Sequence, residues 1–264
     1  MIKAAFFDVD GTLIPRGGDL LSDALREDLL ALRAAGIKLF LATGRSPRDL
    51  ENTGMLRDVV FDAYLTMNGN RCFDADGLYR SVTIDRGDLE AACGVLREHP
   101  ELIAIMETER GNFLNRTDES LTALFREIHT PAYPVRPPEA ALNESTYQFV
   151  PLLRPGQESL FLPVMPHCTA TRWHPCAIDV IPIGEGKADG VRATLERFGL
   201  ERAETIAFGD GENDRSMLAL AGIGVAMGNA GTEIRAAADY VTDTVDRGGV
   251  SKALRHFGLL PRSL

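Results

Sequence analysis

The sequence predicts an α/β fold: a parallel sheet with helices on both faces, interrupted by an inserted α+β domain. Three observations carry that prediction. Apolar runs of strand length, Ile2 to Phe7, Ile37 to Ala42 and Thr205 to Phe208, each end in a polar turn containing glycine and alternate with helical patterns. Between about Thr83 and Pro182 the alternation gives way to several strand-like pieces, two helical stretches and frequent prolines. After Gly184 it resumes, so the chain divides into a first core part over 1–82, an inserted domain over 83–182 and a second core part over 183–264.

The first apolar run ends in Asp8-Val9-Asp10-Gly11-Thr12. Alternate residues of a strand share a side, so Asp8 and Asp10 can project together from its carboxyl end, where open α/β sheets bind ligands. Two crowded carboxylates repel unless a cation, a shared proton or several donors neutralise them. A hard ion such as Mg²⁺, which takes one or two carboxylates plus a substrate phosphate, answers that need. The plain alternative is an acidic turn. Next, Ser22 is placed to cap a helix with Leu21, Leu25, Leu29 and Leu32 on one face, and Gly36 to end it.

The second strand ends in Thr43-Gly44-Arg45, before Ser46 and Pro47 open another helix. A sheet of βαβ units gathers its strand ends on one edge, which brings the Thr43 hydroxyl and the Gly44 amide near Asp8 as phosphate donors. Arg45 faces the same edge, either to bind a further anionic or hydroxyl group or to pair with a nearby carboxylate. The segment Phe61 to Thr66 then runs into Met67-Asn68-Gly69-Asn70, which can present the Asn68 amide there; Asn-Gly is equally a hairpin signal.

In the insert, Leu102 to Glu107, Tyr147 to Leu152, Thr169 to Trp173 and Ala177 to Ile181 read as strands, and Asp88 to Glu98 and Glu119 to Ile128 as helices. Trp173, Phe149, Tyr147 and Phe161 read as this domain's own core, with a ligand shelf as the alternative. Glu107, Glu109, Arg110 and Asn112 surround a turn that serves either as a specificity loop or as a solvated hairpin tip. His167-Cys168 and His174-Pro175-Cys176 lack zinc-knuckle spacing, and the alternating pattern between them favours a strand.

Lys187 opens a helix that runs to Phe198 and stops at Gly199, so its ammonium sits in the first turn, where the helix dipole disfavours a cation. A phosphate at that helix start would supply the reason. The strand Thr205 to Phe208 ends in Gly209-Asp210-Gly211-Glu212-Asn213-Asp214, where Asp210 can complete an oxygen cage with Asp8. An Ala-rich helix to Ala238, a strand at Tyr240 to Thr242 and a helix capped by Ser251 close the chain.

At 264 residues the chain can bury one large core or two smaller ones. Its formal charge of −10 and lack of basic runs argue against a nucleic-acid partner. No stretch approaches the roughly 20 apolar residues of a membrane helix, and the start is too short in apolar residues for a signal peptide. A cytoplasmic protein is expected, with Cys72, Cys93, Cys168 and Cys176 reduced, as a monomer or weak homo-oligomer.

Taken together, residues 8–12, 43–45, Lys187 and 209–214 resemble the four ordered motifs of the haloacid dehalogenase superfamily of phosphotransferases. The insert between the second and third resembles the class IIB, or Cof-type, members with a large cap. The segments from Arg172 to Ile181 and from Gly209 through Gly228 to Lys252 also resemble sugar-phosphate phosphatases of that class. The resemblance implies a Rossmann-like core and a phosphoric monoester hydrolase that depends on Mg²⁺ and acts on small phosphomonoesters, sugar phosphates foremost. Roles consistent with the residue types follow. Asp8 attacks phosphorus, and Asp10 serves as acid and then base. Asp8, the Asp10 carbonyl and Asp210 hold the ion. Thr43, Gly44, Lys187 and, by the resemblance, Asn213 hold the phosphoryl oxygens. Asp214 orients Lys187 or a metal-bound water. Two rivals stand beside this reading: a phosphomutase on sugar phosphates, and a module that binds a phosphometabolite without turning it over.

Overall fold

The structure is a computed structural model and describes residues 1–128, 130–184 and 186–261. In chain order its elements are β1 (Ala4–Phe7), α1 (Asp23–Ala34), β2 (Lys38–Ala42), α2 (Pro47–Thr53), β3 (Ala63–Thr66), β4 (Arg71–Asp74), β5 (Gly77–Ser81) and α3 (Arg86–Glu98). There follow β6 (Ala104–Thr108), β7 (Gly111–Leu114), α4 (Glu119–Glu127), β8 (Thr146–Pro151), β9 (Cys168–His174), β10 (Ala177–Pro182) and α5 (Lys187–Phe198). The chain closes with β11 (Thr205–Gly209), α6 (Arg215–Leu220), β12 (Ile223–Ala226), α7 (Thr232–Ala237), β13 (Tyr240–Val241) and α8 (Gly249–His256).

The larger sheet has the order β13-β12-β11-β1-β2-β3-β4-β5. It is parallel from β13 to β3, and the hairpin β4–β5 adds two antiparallel strands at one edge. β1 is buried along its whole length because alternate residues meet different apolar layers. Ala5 and Phe7 pack with Leu25, Leu29 and Leu32 of α1 and Leu254 of α8, while Ala4 and Phe6 pack with Val191 of α5 and Met217 and Leu218 of α6. Helices therefore cover both faces, and the carboxyl ends of β1, β2 and β11 meet at one edge.

The smaller sheet, antiparallel in the order β7-β6-β8-β10-β9, is built entirely from the segment between β5 and α5. One face packs Ala104, Met106, Phe149, Ile178 and Val180 against Leu89, Ala92 and Leu96 of α3. The opposite face roofs the carboxyl edge of the larger sheet.

Several local expectations shift. Ser22 accepts the Leu25 amide and caps α1, and Ser46 with Asp49 forms a reciprocal capping box on α2. Ser251, by contrast, lies inside α8, which begins at Gly249 after a left-handed Gly248; the tight turn replaces the hydroxyl cap. Phe149 and Phe161 join the cap's core, whereas the Trp173 ring is half-buried, packed beside Ile105 and Val150 and lining the cavity between the sheets. The antiparallel pairs β3–β4 and β6–β7 realise the hairpin alternatives at Asn68-Gly69 and at Glu109-Arg110, whereas β5 has no counterpart in the sequence reading.

Candidate active site

The ends of β1, β2 and β11, the start of α5 and the roof enclose a cavity of about 240 Å³, at or below the small end of ligand pockets. Asp8, Asp10, Thr43, Gly44, Arg45, Asn213 and Asp214 line its floor. Asp8 follows β1 directly and is 6% exposed, and Lys187 is fully buried beneath it. The Lys187 Nζ donates to Asp8 Oδ1 at 2.6 Å and to Asp214 Oδ1 at 2.6 Å. The cation in the first turn of α5 thus answers two carboxylates of the protein itself.

Asp214 is fully engaged by its surroundings. Besides Lys187 on Oδ1, its Oδ2 accepts the amides of Asp210 and Gly211, each at 2.9 Å. That arrangement folds the loop after β11 and fixes where Asp210 stands. The Asp210 carboxylate takes only longer contacts: the Thr12 hydroxyl at 3.3 Å, the Asn229 amide at 3.3 Å and the Arg16 guanidinium at 3.2 Å. Gly11 lies against it with φ +93°, and a Cβ there would fall 2.3 Å from Asp210 Oδ2. Only glycine accepts both that backbone and that approach.

The electrostatics call for a cation. Burial, with the Asp214 carboxylate, pushes the Asp8 carboxyl well above the usual range against the pull of Lys187. Burial likewise raises Asp210, opposed by Arg16. Burial works against the charge on Lys187, but Asp214 and Asp8 outweigh it and hold the ammonium more firmly than usual. Oxygens of Asp8, Asp210 and Asp214 all lie within 4.8 Å of one another, a hard-oxygen donor set that fits a divalent ion. Since Asp214 already spends its oxygens on Lys187 and two amides, Asp8 and Asp210 are the carboxylates best able to serve such an ion.

Asp10 stands apart from that cluster. Arg45 donates to both its oxygens at 2.7 Å, and also to the Ile128 carbonyl of the cap at 3.1 Å. Of the two alternatives open for Arg45, the structure shows pairing with a carboxylate. The Thr43 hydroxyl accepts the Arg45 amide at 3.1 Å, which fixes the turn after β2. Asn68 sits in a left-handed turn with φ +56° and reaches into the gap between the layers. Its side-chain amide donates to Gln148 Oε1 and Asp179 Oδ2, each at 2.8 Å, while its carbonyl accepts Asn213 Nδ2 at 2.8 Å.

Several participants escaped the sequence reading. Asp179 is a lone charge within the apolar run Ala177 to Ile181, and a buried polar residue in such a run is itself a signal. Asp49 accepts the Tyr133 hydroxyl at 2.6 Å and Asn112 Nδ2 at 3.0 Å, tying α2 to the cap. Arg16 and Gln148 carry no distinguishing pattern. In the hairpin of β6 and β7, Glu107 and Asn112 are buried whereas Glu109 and Arg110 are exposed, so the tip splits between the two readings given above.

A buried lysine between two aspartates, at the carboxyl edge of a parallel sheet and under an inserted roof, defines an enzyme of phosphoryl transfer rather than a passive fold. The family model of the haloacid dehalogenase-like hydrolases matches residues 5–254, and the chain belongs to that family. Among solved structures, the subclass IIB sugar phosphatase BT4131 is 35% identical with TM-score 0.87, covering 98% of this chain and 100% of that one. BT1666 of Bacteroides thetaiotaomicron is also 35% identical with TM-score 0.87, covering 98% and 96%. The 5-amino-6-(5-phospho-D-ribitylamino)uracil phosphatase YcsE of Bacillus subtilis is 27% identical over 266 residues, covering 98% of this chain and 96% of that protein. The chain is a phosphoric monoester hydrolase of the class IIB type. Among the described residues no helix is long and apolar enough to cross a membrane.

Proposed function

We propose that the protein hydrolyses small phosphomonoesters, sugar phosphates foremost, by passing the phosphoryl group to Asp8 and then to water. The observation that carries this reading is Lys187, 2.6 Å from both Asp8 and Asp214, in a site shared with Asp10 and Thr43. Phosphate monoesters hydrolyse very slowly unaided, so the site must position and neutralise the transferring group. Asp8 attacks phosphorus with the oxygen that Lys187 leaves open. Lys187, the Thr43 hydroxyl, the Gly44 amide and Asn213 bind the phosphoryl oxygens, each such donor being worth about 10²–10³ in rate. Asp10 gives a proton to the departing alcohol and later takes one from water, which requires Arg45 to release at least one of its oxygens. Asp8 and Asp210, with the Asp10 carbonyl, would hold Mg²⁺, which supplies charge neutralisation at the phosphoryl group.

The names of the sugar phosphatase BT4131 and the ribitylaminouracil phosphatase YcsE share a polyhydroxylated leaving group, which supports the same class here. A cytoplasmic setting belongs to the same proposal. The test is phosphate release from a panel of esters, with Mg²⁺ or with chelator, by wild type and Asp8→Asn. Release that needs both Mg²⁺ and Asp8 is expected; release undiminished in Asp8→Asn would refute the assignment.

A further inference from the structure

The turn His174-Pro175-Cys176 takes no part in phosphoryl transfer, yet it holds the parts of an activated thiol. It joins β9 to β10, and Arg172 fixes its shape by donating to the backbone carbonyls of Leu153 at 2.7 Å, His174 at 3.3 Å and Pro175 at 3.2 Å. Within the turn Cys176 Sγ lies 3.0 Å from His174 Nδ1, which also accepts the Cys176 amide at 3.3 Å. A ring nitrogen that accepts an amide N–H presents its lone pair there, so the ring proton belongs on Nε2. Nε2 in turn stands 3.4 Å from Glu127 Oε1 at the end of α4. Thiol, imidazole and carboxylate therefore follow one another in the order that activates a nucleophile.

The other three thiols are set differently. Cys72, Cys93 and Cys168 are 0%, 3% and 9% exposed and have no imidazole beside them, whereas Cys176 is half-buried and open to a reagent. The charged groups facing Cys176 are Glu127 of α4, Arg172 of β9 and Arg154 from the segment between β8 and β9. Burial, with Glu127, pushes its thiol up against the pull of the two arginines. An unassisted thiol in that setting reacts slowly at neutral pH. One that hands its proton to His174 as it attacks does not have to ionise beforehand.

We propose that Cys176 is a modification site for low-molecular-weight disulfides, with His174 as its base and Glu127 orienting the imidazole. Sγ attacks one sulfur of the disulfide while its proton passes to His174 Nδ1. The disulfide's S–S bond breaks, a new S–S bond forms to Cys176, and the departing thiolate takes the proton back from the imidazolium. Cys176 is thereby oxidised and half of the reagent reduced, with no further oxidant required. His174 and Glu127 also line the substrate cavity, so the adduct stands beside the active site. The proposal holds whether or not the phosphatase reading does.

The test treats the full chain with oxidised glutathione at pH 7 and pH 8 and follows the adduct by intact mass and peptide mapping. One adduct per chain is expected, on Cys176, and none forms in Cys176→Ser. The wild-type rate should stay nearly level over that interval. His174→Gln should react about 100-fold more slowly at pH 7 and climb about 10-fold to pH 8, as a thiol without a base does. Glu127→Gln, a substitution of an exposed side chain, should slow the reaction by about 2- to 5-fold and keeps the test open should His174→Gln fail to fold. Four results would each overturn the proposal: an adduct forming first on another cysteine, no adduct on Cys176 while the urea-unfolded chain is labelled, equal rates in wild type and His174→Gln, or a wild-type rate that itself climbs about 10-fold from pH 7 to pH 8.

Discussion

Asn68 donates its side-chain amide to Asp179 at 2.8 Å, so a turn of the core is bonded directly to a strand of the cap. The same amide group reaches Gln148, and its carbonyl accepts Asn213 from the loop after β11. One side chain therefore joins three segments that are far apart in the chain. A left-handed backbone at Asn68 aims it into the gap, a conformation that asparagine tolerates better than most residues. Gly44 makes room for the contact, since a Cβ there would stand 3.3 Å from Asp179 Oδ2.

Removing that side chain should loosen the cap. Asn68→Gly keeps the backbone and strands Asp179, Gln148 and Asn213 without their partner, at about 1–3 kcal/mol for each buried group. Asn68→Ala adds backbone strain to the same loss. Urea denaturation should rank wild type above Asn68→Gly and Asn68→Ala lowest, with KM raised in both variants. Equal KM in all three proteins would show that the contact plays no part in holding substrate.

The Asp179 carboxyl gives a pH signature. Burial pushes it up to about 7, with the Asn68 amide opposing. Between the ordinary carboxylate range and about 7 the unfolded chain gives up this proton more readily than the folded one, so stability falls with rising pH over that window and levels off above it. Asp179→Asn removes the charge. Melting temperatures of wild type and variant should therefore diverge in the variant's favour as pH rises from about 4 to 8. A constant difference across that range would contradict the assignment.

The Lys187 ammonium is held between two carboxylates, and its removal should be costly in a way that can be partly repaired. Lys187→Met leaves Asp8 and Asp214 buried without their cation, a change worth about 3–5 kcal/mol. Adding Asp214→Asn removes one of the two charges, so the double variant should recover part of the stability while remaining inactive. Denaturation and phosphate-release assays on the same preparations separate the two effects. Recovery of activity in the double variant would mean that Lys187 has no role beyond neutralising Asp214.

Much of the core was legible because its signals are local. Strand-length apolar runs, the Ser22 and Ser46 caps and the glycine turns after β1 and β11 each act within a few residues, and the βαβ rule gathers the strand ends. That logic brought Asp8, Lys187 and Asp210 to one edge, where the structure has them. β5 was not legible because it is a largely exposed edge strand with little apolar alternation. The roof was hidden for a different reason. Glu107, Gln148 and Asp179 become neighbours only through the order β6-β8-β10, in which sequence neighbours are not sheet neighbours. Nothing local to Gln148 or Tyr133 announces a partner across the gap.

The central claim, that Asp8 receives the phosphoryl group, is tested most directly by rapid acid quenching during turnover of a radiolabelled phosphomonoester, followed by peptide mapping. The account predicts a base-labile label on the peptide containing Asp8, absent from Asp8→Asn and longer-lived in Asp10→Asn, where water activation is slowed. Turnover at full rate with no label on that peptide, or with label on another residue, would contradict it.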